Sequence, residues 1–284
     1  MSSYLAREGV DIGQTRTAYG ELQQLNQKYG ELATDVGLAA GGALPPPFGT
    51  AADVASLGRS LWKGDWGGAL FDVVGFVPIF GDAAKAGRIA NKLVDIKRGV
   101  DAAASGVARM MNKTKSAATK YWDDIIKRNK AAYEEALKKC NGSKACKEAA
   151  ALKKGPQYAN TPKDGPNGSW TKGERGDGTW TPTNGGPPVE YKNGFPDYKP
   201  FSKGEVDIPM QGNRTSDFTN ADKAMREKLG DPNWERPSGH TWHHNENGVT
   251  MELIPQNVHA TGGGASTPHM GGASLHDGSQ TAEF

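Results

Sequence analysis

The stretch that decides the fold reads "SGHTWHHNENGVTMELIPQNVH", Ser238 to His259. "HTWHH" can form one strand, and Asn247-Gly248 within "NENG" is a strong two-residue hairpin turn. "VTMELIP" supplies the returning strand. Pro255 suits the first turn of a short helix, "PQNVHA". The local order is therefore strand, turn, strand, helix. Successive side chains on a strand point to opposite faces, so adjacent His243 and His244 face apart. One of them can face a metal while the other faces a substrate. His259, on the helix that follows, can turn back toward the hairpin.

The histidine usage supports a site. All six histidines (His240, His243, His244, His259, His269 and His276) fall in the last 45 residues, and none occurs elsewhere. The plainer alternative is a polar, loop-rich tail that tolerates histidine. Three neutral imidazoles converging on one divalent ion leave open positions for water and phosphate. A fourth, unligated imidazole is matched to general-base work near neutral pH.

Outward from this stretch, the 284 residues suffice for two ordinary domains, or one with a long helical lead-in. Gly 38, Pro 17 and only 36% apolar residues argue against a single core along the whole length. Residues 1–49 read as a helical lead-in, carried by "QTRTAYGELQQLNQKYGELATDVGL". Residues 50–154 read as a second helical region punctuated by glycine, with Thr50 and Asp82 as expected caps. In residues 155–188, "GPQYANTPKDGPNGSWTKGERGDGTWTPTNGGPP", Pro, Gly, Asn and Thr dominate and apolar periodicity disappears, so a flexible linker is expected. Order resumes in 189–284. "EVDIPM" alternates as a strand, and "SDFTNADKAMREKLG" reads as a helix capped by Ser216 and closed by Gly230. The fold class is α+β: a mostly helical N-terminal region, a Pro/Gly-rich linker and a C-terminal mixed domain.

Charge is unevenly spread. Residues 82–154 carry 18 Lys and Arg against 8 Asp and Glu, whereas residues 186–284 carry 8 against 13. The histidine-rich part is thus mildly acidic, which runs against a simple cationic nucleic-acid groove. A bound metal or the basic 82–154 region would have to supply local positive charge. The most apolar run, "GGALFDVVGFVPIF", is interrupted by Asp72 and falls short of the ~20 residues a spanning helix needs, so no stable membrane span is expected. "MSSYLAREGV" lacks a charged start followed by an apolar run, so export is expected to use a route other than a cleaved leader. Cys140 and Cys146, in "KKCNGSKACKEAA", read equally as a disulfide closing a small loop or as two free thiols.

"GHTWHHNENGVTMELIPQNVH" followed by "PHMGGAS" resembles the WHH branch of the HNH, or ββα-metal, endonuclease superfamily. The upstream "NGFPDYKPF", "DIPMQGNRTSDFTNADKAM" and "PSG" also match that branch, so the resemblance spans roughly 189–274. Residues 50–92 resemble, more softly, the helical pretoxin segments that precede nuclease domains in bacterial polymorphic toxins.

The resemblance implies a metal-dependent endonuclease acting as an antibacterial toxin. It implies a metal shell of His243, His259 and His269, with His244 as the catalytic base activating water. His276 is the alternative third ligand, and His240 the least expected member. Trp242 is implied as a packing anchor. Arg214 and Asp217 match a lead-in element in which Arg214 either binds phosphate or makes a structural contact with Asp217. The asparagine that gives the superfamily its name has no clear counterpart: Thr250 falls near its place, and Asn245 or Asn247 could serve. The ten residues from His259 to His269 place the latter on a loop rather than on the helix.

The implied cofactor is one divalent metal ion (Mg, Mn, Zn or Ni). The implied partners are a DNA substrate, with RNA as the alternative, a cognate immunity protein and a secretion-system carrier or chaperone. Such a toxin is made in the producer cytoplasm, secreted without a signal peptide and delivered into the cytoplasm of a target bacterium. Two rival readings are a metal- or DNA-binding module without catalysis, and a toxin whose activity lies in the helical region 50–92 at membranes.

Overall fold

The computed structural model of the chain describes residues 2–41, 83–260 and 267–277. Thr50 and Asp82, and most of the 50–92 region, lie outside the described residues. The architecture is mixed helix and sheet, and the chain divides into two compact units.

One unit comprises residues 13–109 and 225–234. It holds most of helix α2 (Ile12–Gly41) and the first half of helix α3 (Ala83–Lys138). Tyr19, Leu22 and Tyr29 of α2 are buried, as the helical spacing of the lead-in requires. Burial, and next the charge of Asp101 on α3, raise the Tyr29 pKa. No helix among the described residues is long and apolar enough to cross a membrane.

The other unit comprises residues 1–12, 110–224 and 235–284. Helix α1 (Ser2–Arg7) packs Leu5 and the following Val10 on Ala117 of α3, and Glu8 pairs with Lys120 at 2.8 Å. Along α3, Ala118, Trp122 and Ile125 recur at helical spacing and meet Phe195, Met270 and Leu275 in one buried cluster. Asn141 and Gly142 turn the chain with positive φ into helix α4 (Lys144–Ala151), which Ser143 caps. Cys140 and Cys146 form a disulfide across that turn. The short helix α5 is Pro156–Ala159.

The segment expected to be a linker is instead a sheet. Strands β1 (Gly168–Glu174), β2 (Asp177–Pro182), β3 (Val189–Lys192) and β4 (Phe195–Pro196) form an antiparallel meander. Trp170, Trp180, Val189 and Tyr191 are buried in it. The Gly- and Asn-rich composition that suggested looseness is the chemistry of its turns. Asn193-Gly194, with φ of 55° and 85°, closes the β3–β4 hairpin as a two-residue turn. The sheet is not a separate body. Its Trp170, Trp180 and Tyr191 share a core with Ile254 and Val258, from the strand and helix that follow the histidine pair.

A second sheet has the order β5-β7-β6, from β5 (Glu205–Asp207), β6 (His240–His244) and β7 (Thr250–Pro255). Helix α6 (Arg214–Leu229) precedes β6 in the chain. Its cap is not Ser216, which lies inside the helix. Asn213 accepts through Oδ1 from the Thr215 and Ser216 amides (3.0 and 3.2 Å), as an N-cap does. Gly230, at φ 61°, closes the helix as expected. Helix α7 (Gln256–His259) follows β7 directly, with Pro255 as the last strand residue rather than the first of the helix. Helix α8 (Ser274–Asp277) follows the glycine pair Gly271-Gly272.

Candidate metal centre

Strand β6 pairs with β7 in the register Trp242↔Leu253, His243↔Glu252, His244↔Met251. The loop between them is held by its own asparagines. Asn247 accepts through Oδ1 from the Val249 and Thr250 amides and donates to the Thr250 hydroxyl at 2.9 Å. Asn245 accepts from the Asn247 amide. Gly248 takes positive φ where an added Cβ would press on Leu275. Asn247 thus does the pinning, and Thr250 passes the restraint to Asp207 on β5 (2.8 Å). The Gly-Gly after His269 has an equally local cause. The Gly272 amide donates to the His244 carbonyl, and a Cβ at Gly272 would collide with the Asn245 carbonyl.

The structure brings His243, His259 and His269 together. One ring nitrogen from each lies within 4.8 Å of the others. His243 comes from β6, His259 from the end of α7, and His269 from the loop before α8; they are 1%, 5% and 0% exposed. His269 Nδ1 lies 2.6 Å from the Thr267 carbonyl, which can only accept. Nδ1 therefore carries the proton, and the Nε2 lone pair faces His243 Nδ1 at 3.2 Å. Two nitrogens bound to one tetrahedral zinc at about 2.0–2.1 Å stand about 3.3 Å apart, so this spacing already fits a shared ion. The donor set, three buried imidazoles, suits a borderline divalent metal. Tyr198 walls the cluster, its ring centroid 4.8, 5.5 and 5.7 Å from those of His243, His259 and His269.

Glu252 stands across the hairpin, its Oε2 3.9 Å from His243 Nε2. Burial first, and then the neighbouring acids Glu246, Glu205 and Asp197, raise its pKa to about 7, against a hydrogen bond with Asn245 that lowers it. At that distance the carboxyl group acts on the ring through charge rather than through a hydrogen bond, and a negative charge behind a ligating imidazole raises its basicity. The pairing rule across the turn would have found this residue from sequence, because His243 and Glu252 oppose each other once the register is set.

His244 is turned to the other face of β6. It is buried, and its Nε2 lies 3.1 Å from Asp217 Oδ2. The Asp217 carboxylate also accepts from the Gln211 and Gly212 amides (2.8 and 3.1 Å). Phe218 stacks on the His244 ring at 5.7 Å. The guanidinium groups of Arg214 and Arg236 lie 5.2 and 5.1 Å from the Phe218 ring centre. Trp242, on the same face, is buried and donates from Nε1 to Asp222 (2.7 Å), which also holds Arg236 by two hydrogen bonds.

The remaining histidines take other positions. His276 Nε2 meets the Gly248 carbonyl at 2.7 Å, securing the hairpin loop, and His240 Nδ1 meets the Ser238 carbonyl at 3.1 Å. Sequence reasoning singled out neither Tyr198 nor Asp222. Tyr198 sits in the quoted "NGFPDYKPF", where its aromatic character and nearness to a turn gave no direction.

No curated protein matches the chain. Residues 233–279 do match a family model, WHH, described as a nuclease of the HNH/ENDO VII superfamily with conserved WHH, and Trp242, His243 and His244 lie within that match.

Proposed function

We propose that this protein is a metal-dependent endonuclease that hydrolyses DNA phosphodiester bonds, with His244 as the general base. The observation that carries this reading is the division of labour on β6. His243 joins a three-imidazole cluster, while its neighbour His244 is held by a carboxylate on the opposite face. The family match over 233–279 supports the nuclease class.

His243, His259 and His269 would hold one divalent ion. That ion would supply Lewis-acid stabilisation of the negative charge that builds on the phosphorane and the leaving oxygen. His244 takes the proton from the attacking water. Tyr198 packs against the three ligand rings, and Glu252 would set a carboxyl group behind His243. Arg214, exposed at the start of α6 beside Phe218, would meet a substrate phosphate. The basic stretch of α3 from Met110 onward lies in the same compact unit as the hairpin, which answers part of the objection from the acidic C-terminal charge.

The test is incubation of the full chain with plasmid DNA and with tRNA, with and without chelator, beside His244→Ala. Metal-dependent cleavage of plasmid that the variant loses supports the reading. Cleavage of tRNA alone makes RNA the substrate. Metal uptake without cleavage of either makes the protein a binding module.

We further propose that the nuclease is an antibacterial toxin, made in the producer cytoplasm, exported with the help of a secretion-system carrier or chaperone, and active in the cytoplasm of a target bacterium. A producer of such an enzyme needs a cognate immunity protein that covers the cleft. Growth arrest with DNA loss on cytoplasmic expression, absent for His244→Ala, is the expected result. Arrest that persists in that variant would move the activity to the helical region and to membranes.

A further inference from the structure

We infer that Asp217 is a positioning residue for His244, fixing which ring nitrogen carries the proton. The inference rests on the reading of His244 as the base. In a neutral imidazole one nitrogen donates and the other accepts. Asp217 is fully buried, and its Oδ2 stands 3.1 Å from His244 Nε2. An ionised carboxylate only accepts, so Nε2 carries the hydrogen and the lone pair is left on Nδ1. Nδ1 is then the atom that receives a proton from water.

The carboxylate is itself held from two sides. Gln211 N donates to Oδ1, and Gly212 N donates to Oδ2 beside the imidazole. Three donors thus converge on two oxygens, which keeps the carboxylate from rotating away. Both amides belong to the loop that leads into α6, so the orientation of the base is tied to the start of that helix. Phe218, the next residue, stacks on the ring and fixes its plane. Five residues after Asp217 on α6, Asp222 grips Trp242, two residues before His244 on the same face of β6. The helix therefore holds the strand at two points by similar contacts, and only one of them ends on an imidazole. Asp222 is the built-in control for a purely structural role.

An amide in place of the Asp217 carboxylate has one oxygen for three donors. Asp217→Asn must desert either the Gln211 amide or both the Gly212 amide and His244 Nε2, and in either arrangement the tautomer is no longer enforced by a charged acceptor. In the metal-loaded full chain, Asp217→Asn is expected to lower kcat on plasmid about 10²- to 10⁴-fold, with KM and metal uptake within about threefold of wild type. Asp222→Ala should lower the melting temperature and leave kcat within about threefold. ¹⁵N spectra of the zinc-loaded full chain should show His244 protonated at Nε2 in wild type and as a mixture of tautomers in Asp217→Asn.

Equal kcat for Asp217→Asn and wild type, while His244→Ala is inactive, overturns the inference and spares the base assignment. Equal kcat losses in Asp217→Asn and Asp222→Ala overturn it too, because the effect is then loosening of the helix on the strand. A His244→Ala variant that cleaves normally overturns the base assignment itself. If Asp217→Asn does not fold, the wild-type spectrum alone decides: protonation of His244 at Nδ1 rules the positioning role out, and protonation at Nε2 supports it.

Discussion

The two faces of strand β6 are built from different materials. The face that carries His243 is backed by aromatic and aliphatic packing: Tyr198 stands against the three rings, and behind it Ile254 and Val258 share a core with Trp170 and Trp180. The face that carries Trp242 and His244 is held by carboxylates, Asp222 and Asp217, both presented by one helix. A shared ion needs its donors crowded at fixed distances, which close packing supplies. A base needs one defined hydrogen bond and a lone pair left over, which a directed carboxylate supplies. Alternation along a strand lets adjacent residues draw on both environments.

The largest effect should come from removing the packed backing altogether. A fragment of residues 186–284 keeps α6 and both carboxylates but loses Trp122, Trp170 and Trp180. Each buried tryptophan contributes about 3–5 kcal/mol, and three together rival the ~5–15 kcal/mol of a whole domain. The fragment should therefore show no cooperative thermal unfolding and bind no metal, whereas the full chain does both. A fragment that folded and took up metal would show that the sheet and α3 are dispensable to the centre.

Point changes on the two faces should separate two functions. His243→Ala should lose metal uptake and cleavage together. His244→Ala should keep metal uptake and lose about 10²- to 10⁴-fold in kcat, the usual range for a general base. Calorimetric metal titration beside plasmid cleavage reads both quantities. Loss of metal in both variants would merge the two faces into one site.

What was legible from sequence follows the same division. The hairpin, the opposed histidines and the return of His259 could be read because each depends on periodicity within a few residues. The tight turn expected at Asn247-Gly248 is instead a longer loop, since β6 stops at His244, β7 begins at Thr250, and only Gly248 of the pair takes positive φ. Even the ten-residue step to His269 was readable as a loop, and the structure brings its Nε2 to 3.2 Å from His243. The buttress was not legible. In β1 the burial alternates only from Gly168 to Trp170 before a bulge breaks the register at Lys172, so "GSWTKGE" carries one large apolar residue and no sustained period. Turn residues outnumber core residues throughout 155–188, which made hairpins look like a linker. Asp217 and His244 are 27 positions apart, and nothing local to either names the other. The Asn213 cap was missed for a smaller reason: Ser216 also suits a cap, and only the helix start at Arg214 decides between them.

Glu252→Gln probes the metal face without touching a ligand. The amide keeps the volume but can no longer carry a negative charge 3.9 Å from His243 Nε2. Loss of a carboxylate behind a ligating imidazole lowers metal affinity about 10- to 100-fold. Activity at saturating metal should return to near wild type. This is the mirror image of Asp217→Asn, where metal uptake stays and turnover falls. A Glu252→Gln variant with normal metal affinity and reduced turnover would mean that this carboxylate serves the chemistry rather than the ion.

The smallest effect should come from the turn that lies on neither face. The Cys140–Cys146 disulfide closes a sequence separation of six between α3 and α4. So short a loop constrains the unfolded chain by about 2 kcal/mol. Cys140→Ser should lower the melting temperature by a few degrees and leave metal uptake and cleavage unchanged. Wild type melted in reductant should behave as the variant does, since both lack only the cross-link. The outcome also bears on how far the buttress is coupled to the site. Cys140 lies two residues past the end of the helix that carries Trp122, and Trp122 donates from Nε1 to the Glu246 carbonyl in the hairpin loop at 3.2 Å. If reduction weakens metal binding, strain travels along α3 to that loop. If only stability changes, the hairpin is held by its own asparagines and by the sheet behind it, and α3 serves as packing alone.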